Sequence, residues 1–289
     1  MTKNFLNLPY RSVKPRTSGI TSLIDNGVPT KYFIDTIESN SHLIDIVKFG
    51  WCTALVTKDL EQKIQCLTKN KVNFYFGGTL FEKAFAQNKI DEFYNFLKHY
   101  KCTIMEISDG TFAISRKDKI KQIEKFSKEF YVLSEVGKKD IDEADNMPIS
   151  QWIDEILHDL AAGASKVILE ARESGESGIC DAQGNLREDL VSSISNSRFR
   201  ATDAIWEAPN KKLQTSFITT LGPNVNLANI AFEDVIGLET LRLGIRSDTF
   251  NLFDTIQMQK AEPPLVDNRS YFPIPPRAGE DTGKYSAFI

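Results

Sequence analysis

Thr103-Ile104-Met105-Glu106, Tyr131-Val132-Leu133-Ser134-Glu135, Lys166-Val167-Ile168-Leu169-Glu170 and Ala204-Ile205-Trp206-Glu207 repeat one pattern. Each is a short apolar run that stops on a glutamate, and a helix-length stretch separates each from the next. The same rhythm gives Ser22-Leu23-Ile24-Asp25, Leu43-Ile44-Asp45-Ile46-Val47-Lys48 and Val72-Asn73-Phe74-Tyr75-Phe76-Gly77-Gly78 upstream, and Val225-Asn226-Leu227 downstream. The runs are apolar on consecutive positions, as in parallel strands buried on both faces. Eight strands alternating with helices predict an α/β fold, a (β/α)8 TIM barrel, whose chemistry sits at the carboxyl ends of the strands.

The stretches between the runs carry helical periodicity. Residues 59–70 put Leu60, Ile64 and Leu67 on one stripe, and residues 80–100 hold one long helix or two short ones. Residues 116–130 place Ile120, Ile123, Phe126 and Phe130 on one face, leaving a lysine-rich face for solvent. Ser150 is placed to cap a helix over 151–162. Residues 31–40, 188–197 and 232–242 are further helices. Pro263-Pro264 and Pro273-Ile274-Pro275-Pro276 exclude regular helix near the end. The expected organisation is a barrel over 1–253 and an extended proline-rich tail over 254–289.

Bulk properties exclude several classes of function. A chain of 289 residues fits one barrel of about 250 residues with an extension. A net charge of -4 gives no basic field for nucleic acid or a membrane surface. No apolar stretch approaches the roughly 20 residues that span a bilayer, and residues 1–16 lack an apolar signal core. Cys52, Cys66, Cys102 and Cys180 form no CxxC pair, so a reduced, cytoplasmic protein is expected. His42, His99 and His158 are assigned to surface or packing roles.

Glu106, Glu135, Glu170 and Glu207 end four successive strands, whose carboxyl ends are neighbours in a barrel. Carboxylates gathered there repel unless a cation joins them, and Mg²⁺ is the natural hard partner for oxygen ligands. The alternative is that each pairs with a local lysine or arginine. Lys48 interrupts an apolar run, so its amine should point into the mouth, and Lys138 and Lys139 follow strand five. Gly77-Gly78-Thr79, Gly175 and Gly178 could bring backbone N–H groups close to an anion, and Gly222-Pro223-Asn224 precedes strand eight.

Several segments together resemble the phosphosulfolactate synthase family. They include Lys14-Pro15-Arg16, Val47-Lys48-Phe49-Gly50-Trp51-Cys52-Thr53, Gly77-Gly78-Thr79-Leu80-Phe81-Glu82 and Glu106-Ile107-Ser108-Asp109-Gly110-Thr111. Ser134-Glu135-Val136-Gly137-Lys138-Lys139, Glu170-Ala171-Arg172-Glu173-Ser174-Gly175 and Gly222-Pro223-Asn224-Val225-Asn226-Leu227-Ala228-Asn229-Ile230 continue the match. The resemblance spans residues 14–250. It implies a Mg²⁺-dependent homo-oligomer, with a trimer as one option, that adds sulfite to phosphoenolpyruvate. The implied product is (2R)-phosphosulfolactate, on the way to coenzyme M or sulfolactate. Cys52 stands where the family's GWGT segment has glycine, which should narrow the mouth near strand two.

In that setting Glu106, Glu135, Glu170 and Glu207 are the expected metal ligands, and Glu135 doubles as a catalytic group beside Lys48 and Lys138. Lys138 is assigned as the acid that protonates C2, helped by neighbouring cations that lower a lysine's pKa. Arg16 and Arg172 are expected to clamp the anions, with Gly222, Asn224 and Asn226 near the phosphate. Arg242 and Arg246 are further candidates. The alternatives are an enolate lyase using another nucleophile and a non-catalytic, heat-stress-associated homologue.

Overall fold

The computed structural model describes residues 5–138, 147–171, 175, 177–181 and 183–253. Eight parallel strands run through it: β1 (Thr21–Asp25), β2 (Ile46–Phe49), β3 (Asn73–Phe76), β4 (Ile104–Ile107), β5 (Tyr131–Val136), β6 (Lys166–Leu169), β7 (Ala204–Glu207) and β8 (Leu227–Ile230). Their hydrogen-bonded order is β3-β2-β1-β8-β7-β6-β5-β4. The pairing of β1 with β8 curls the sheet, and β3 and β4 come together at the seam, where the Cys102 thiol reaches the Phe74 carbonyl. The result is a nearly closed (β/α)8 barrel. All four residues of β2, β4, β6, β7 and β8 are buried, which accounts for runs that do not alternate.

The helices are α1 (Thr30–Asn40), α2 (Leu60–Lys69), α3 (Gly78–Ala86), α4 (Ile90–His99), α5 (Arg116–Phe126), α6 (Ile149–Ala161), α7 (Glu188–Ser195), α8 (Lys211–Leu221) and α9 (Val235–Arg242). Residues 80–100 resolve into two helices, broken where Asn88 takes a left-handed φ of 56°. Ser150 lies inside α6 rather than capping it. Pro148 starts that helix instead, its carbonyl accepting from Gln151 and Trp152. Helix α8 has no clear periodic signature in the sequence, because lysines and hydroxyls dilute its buried stripe of Leu213, Phe217 and Ile218, although the Asn210 side chain caps it. Strand eight begins at Leu227, and just before it the Asn226 side chain bonds Ile20, Thr202 and Ala204.

The face of α5 expected to be wholly solvated is not. Lys119 is fully buried and ion-paired with Asp109 and Asp159. His42, His99 and His158 are exposed. No helix among the described residues is long and apolar enough to cross a membrane. The proposed tail, residues 254–289, lies outside the described residues.

Candidate active site at the carboxyl ends of the strands

Lys48 projects from β2 into the barrel and meets carboxylates from three other strands. Its Nζ lies 3.2 Å from Glu106 Oε1, 3.6 Å from Glu207 Oε1 and 3.9 Å from Glu135 Oε2. One ammonium thus serves three buried glutamates. Oxygens of Glu135, Glu170 and Glu207 also lie within 4.8 Å of one another. Neighbouring strands are staggered, with Glu106 facing Leu133 and Glu135 facing Ile168, and the tilt that closes a barrel brings the glutamates together despite that stagger. A cavity of about 460 Å³ opens above them, lined by Lys48, Trp51, Thr79, Thr111, the three glutamates and Asn229, among others.

Burial disfavours charge on Glu106 and pushes its carboxyl up to about 7; Lys48 opposes the rise, while Glu135 and Glu207 add to it. Burial also works against the charge on Lys48, but Glu106 first, with Glu207 and Glu135, holds its ammonium well above the ordinary range. Glu106 is further fixed by the Gly78 N–H, 2.8 Å from Oε1, at the start of α3. A Cβ at position 78 would come within 2.6 Å of that oxygen, so only glycine allows the contact. The other oxygen, Oε2, is buried without a hydrogen bond among the described residues. Glu207 Oε2 accepts from the Ala171 N–H at 3.1 Å. Three buried carboxylate oxygens in reach of one another, of Glu135, Glu170 and Glu207, form a hard donor set suited to a small divalent cation such as Mg²⁺.

A second charged group flanks the first. Lys138, just past β5, donates to Asp109 Oδ2 at 3.1 Å, and Lys119 donates to Asp109 Oδ1 at 2.9 Å. Lys119 also donates to the Glu135 carbonyl at 2.5 Å, which ties the pair to the glutamate cluster. Although burial opposes it, the two lysines hold the Asp109 carboxyl below its usual range. Glu82 accepts from the Thr111 and Phe112 N–H groups and from the Ser108 hydroxyl, pinning the loop that carries Asp109.

The expected site residues therefore divide. Lys48, Glu106, Glu135, Glu170 and Glu207 come together, and Lys138 stands beside them through Asp109. Arg16 does not reach the mouth: it forks onto Asp45, at the opposite, amino-terminal end of β2. Gly222 and Asn224 lie in the loop leading into β8, where Asn224 binds Arg11 and the Ser12 N–H, and Asn226 braces the floor. The loops before strands form the end opposite the mouth, and this accounts for all four misplacements. Arg242 is likewise buried there on the carbonyls of Pro223, Val225 and Ile20, and Arg246 pairs with Asp248. Arg172 and Lys139 fall outside the described residues. Trp51 rather than Cys52 lines the cavity, and Cys52 adopts the left-handed φ of 56° that a glycine would hold without strain.

Lys119, Asp109 and Asn229 are placed at or beside the site without having stood out in the sequence as site residues. For Asp109 the signal was present, three residues past Glu106 in the loop that leaves β4.

The (2R)-phospho-3-sulfolactate synthase (ComA) family matches residues 9–248. A phosphosulfolactate synthase of Bacillus subtilis is 52% identical over 247 residues, covering 86% of this chain and 98% of that protein. Phosphosulfolactate synthases of Methanothermobacter thermautotrophicus and Methanocaldococcus jannaschii are 41% and 42% identical, covering 83% and 80% of this chain and 95% and 94% of those proteins.

Proposed function

Because the chain belongs to the phosphosulfolactate synthase family, we propose that it adds sulfite to C3 of phosphoenolpyruvate to give (2R)-phospho-3-sulfolactate. The observation that carries this proposal is the convergence of Lys48 with Glu106, Glu135, Glu170 and Glu207 under a single cavity. Glu135, Glu170 and Glu207 would hold Mg²⁺, and Glu106, clasped by Gly78 and Lys48, would stand behind them. The ion, when bound, supplies positive field beside the substrate carboxylate, where negative charge develops.

The sulfite lone pair forms the new C–S bond at C3, and the π electrons of the C2–C3 double bond move toward C2 and the carboxylate. C2 must then gain a proton on one face. Lys138 supplies it from its ammonium and is recharged by solvent, with Asp109 holding the amine in place. Lys48 contributes positive charge at the mouth without leaving its glutamates. The phosphate stays on the substrate throughout, so the product remains a phosphate ester.

The four free cysteines support a reducing, cytoplasmic setting. Trp51, Leu55 and Val56 leave apolar side chains exposed near the mouth, which supports a homo-oligomer that covers them. The product would enter sulfonate synthesis. The test of the function is incubation of the purified protein with phosphoenolpyruvate, sulfite and Mg²⁺, followed by ³¹P NMR and mass spectrometry. A phosphorylated sulfonate should accumulate; its absence at high enzyme concentration rejects the reaction.

A further inference from the structure

Lys119 reaches from α5 to the sheet, and its fully buried ammonium meets oxygens from three separate elements. Nζ lies 2.5 Å from the Glu135 carbonyl near the carboxyl end of β5, 2.9 Å from Asp109 Oδ1 in the loop after β4, and 3.5 Å from Asp159 Oδ2 in α6. An ammonium has three donors, so these oxygens occupy it and leave nothing for a substrate. The two acids do not depend on it for their charge balance. Asp159 is also held by Arg116 and by the Ser134 hydroxyl, and Asp109 is also held by Lys138. An apolar side chain could fill the same space without the cost of taking an ammonium out of water.

What the ammonium does, and its neighbours do not, is join the two halves of the site. Glu135 sends its carboxylate to within 4.8 Å of those of Glu170 and Glu207, while its carbonyl is held by Lys119. Asp109 gives one oxygen to Lys119 and the other to Lys138. A single buried cation thereby sets the place of Lys138 relative to the glutamates. Misplacing a reacting group by about 1 Å can cost about 10²-fold in rate, so such a brace has a catalytic consequence. We propose that Lys119 is a positioning residue, which bridges the Glu135 main chain to Asp109 and so aligns Lys138 with C2 of a substrate held over the glutamate cluster. This rests on the function proposed above. No bond to Lys119 forms or breaks in the reaction; the proton comes from Lys138, and Lys119 keeps its own.

Lys119→Met keeps the length of the side chain and removes its charge. The test is steady-state kinetics with phosphoenolpyruvate, sulfite and Mg²⁺ on the wild type, Lys119→Met, Asp109→Asn and the double variant, with thermal midpoints to confirm folding. Lys119→Met should lower kcat on the order of 100-fold and leave KM for phosphoenolpyruvate within about threefold, because Lys119 does not touch the substrate. A brace acting through Asp109 also predicts that the two losses overlap: in the Asp109→Asn background, Lys119→Met should cost less than about threefold more. Should Lys119→Met not fold, Lys119→Gln, which keeps N–H donors, takes its place in the same cycle. A folded variant with kcat within twofold of an active wild type would overturn the Lys119 assignment alone, and so would losses that multiply in the double variant. A wild type that formed no phosphosulfolactate would overturn this assignment and the proposed function together.

Discussion

Asp109 holds Lys138 by a 3.1 Å contact at the carboxyl end of the barrel, and its other oxygen is held by the buried Lys119. A lysine tethered in this way presents its proton from a fixed direction. Asp109→Asn should therefore lower kcat on the order of 100-fold, the scale of effect for a displaced reacting group. Lys138→Ala should lower it at least as far, by about 10²–10⁴-fold. Steady-state kinetics on both variants checks this. Wild-type turnover in Lys138→Ala would mean that another group delivers the proton.

Lys48 neutralises charge that burial makes expensive. Removing it as Lys48→Met, in the absence of metal, should destabilise the protein by about 3–5 kcal/mol at pH 8, the scale for breaking a buried pair. The sign of the pH dependence follows from Glu106. Its carboxyl sits at about 7 in the folded protein, above the ordinary 4.5. Its favourable contribution is thus complete below about 4.5 and lost as pH rises through 7. Without Lys48 that rise in pKa grows, so the loss should be smaller at pH 5.5 than at pH 8. Urea unfolding at the two values tests it; an equal loss at both would contradict the pairing.

Divalent cation binding should stabilise the folded protein. At about 100 times its Kd, Mg²⁺ adds about 2.7 kcal/mol through linkage alone. Glu170→Gln should abolish most of that gain, because it turns one of three converging carboxylates into a neutral amide. The check is differential scanning calorimetry with Mg²⁺ and with chelator. A variant that gained as much as the wild type would exclude Glu170 as a ligand.

Lys166, at the start of β6, is buried with its Nζ on the Thr202 carbonyl, and burial lowers its pKa to about 8. A lysine depressed below 10.5 contributes stability only above that value, and loses it as pH falls through 8. Lys166→Met should therefore be the more stable protein at pH 7, by up to about 3 kcal/mol. The advantage should shrink toward pH 10. Thr202 keeps its bond from Asn226, so no carbonyl is orphaned.

The barrel was legible because burial on both faces leaves an unbroken apolar signature, and because four of its runs stop on glutamates whose side chains share one destination. Lys48 was legible for the same reason, as a charge set inside an apolar run. The ends of the barrel were not. Arg16, Gly222, Asn224 and Asn226 lie in or beside loops that precede strands, and a residue's type does not tell which end of a strand its loop serves. Lys119 escaped notice because helical periodicity marks apolar faces, whereas its burial depends on Asp109 and Asp159 arriving from distant segments. The bulge at Asn229 was not legible either, because a one-residue slip between neighbouring strands leaves no mark in either strand alone.

The most direct test of the central claim is the rate of phosphosulfolactate formation from phosphoenolpyruvate and sulfite as Mg²⁺ is titrated into metal-free wild-type protein. Glutamates that gather around one cation predict a saturable rise from a negligible rate, reversed by chelator. Full turnover in chelator would contradict the account.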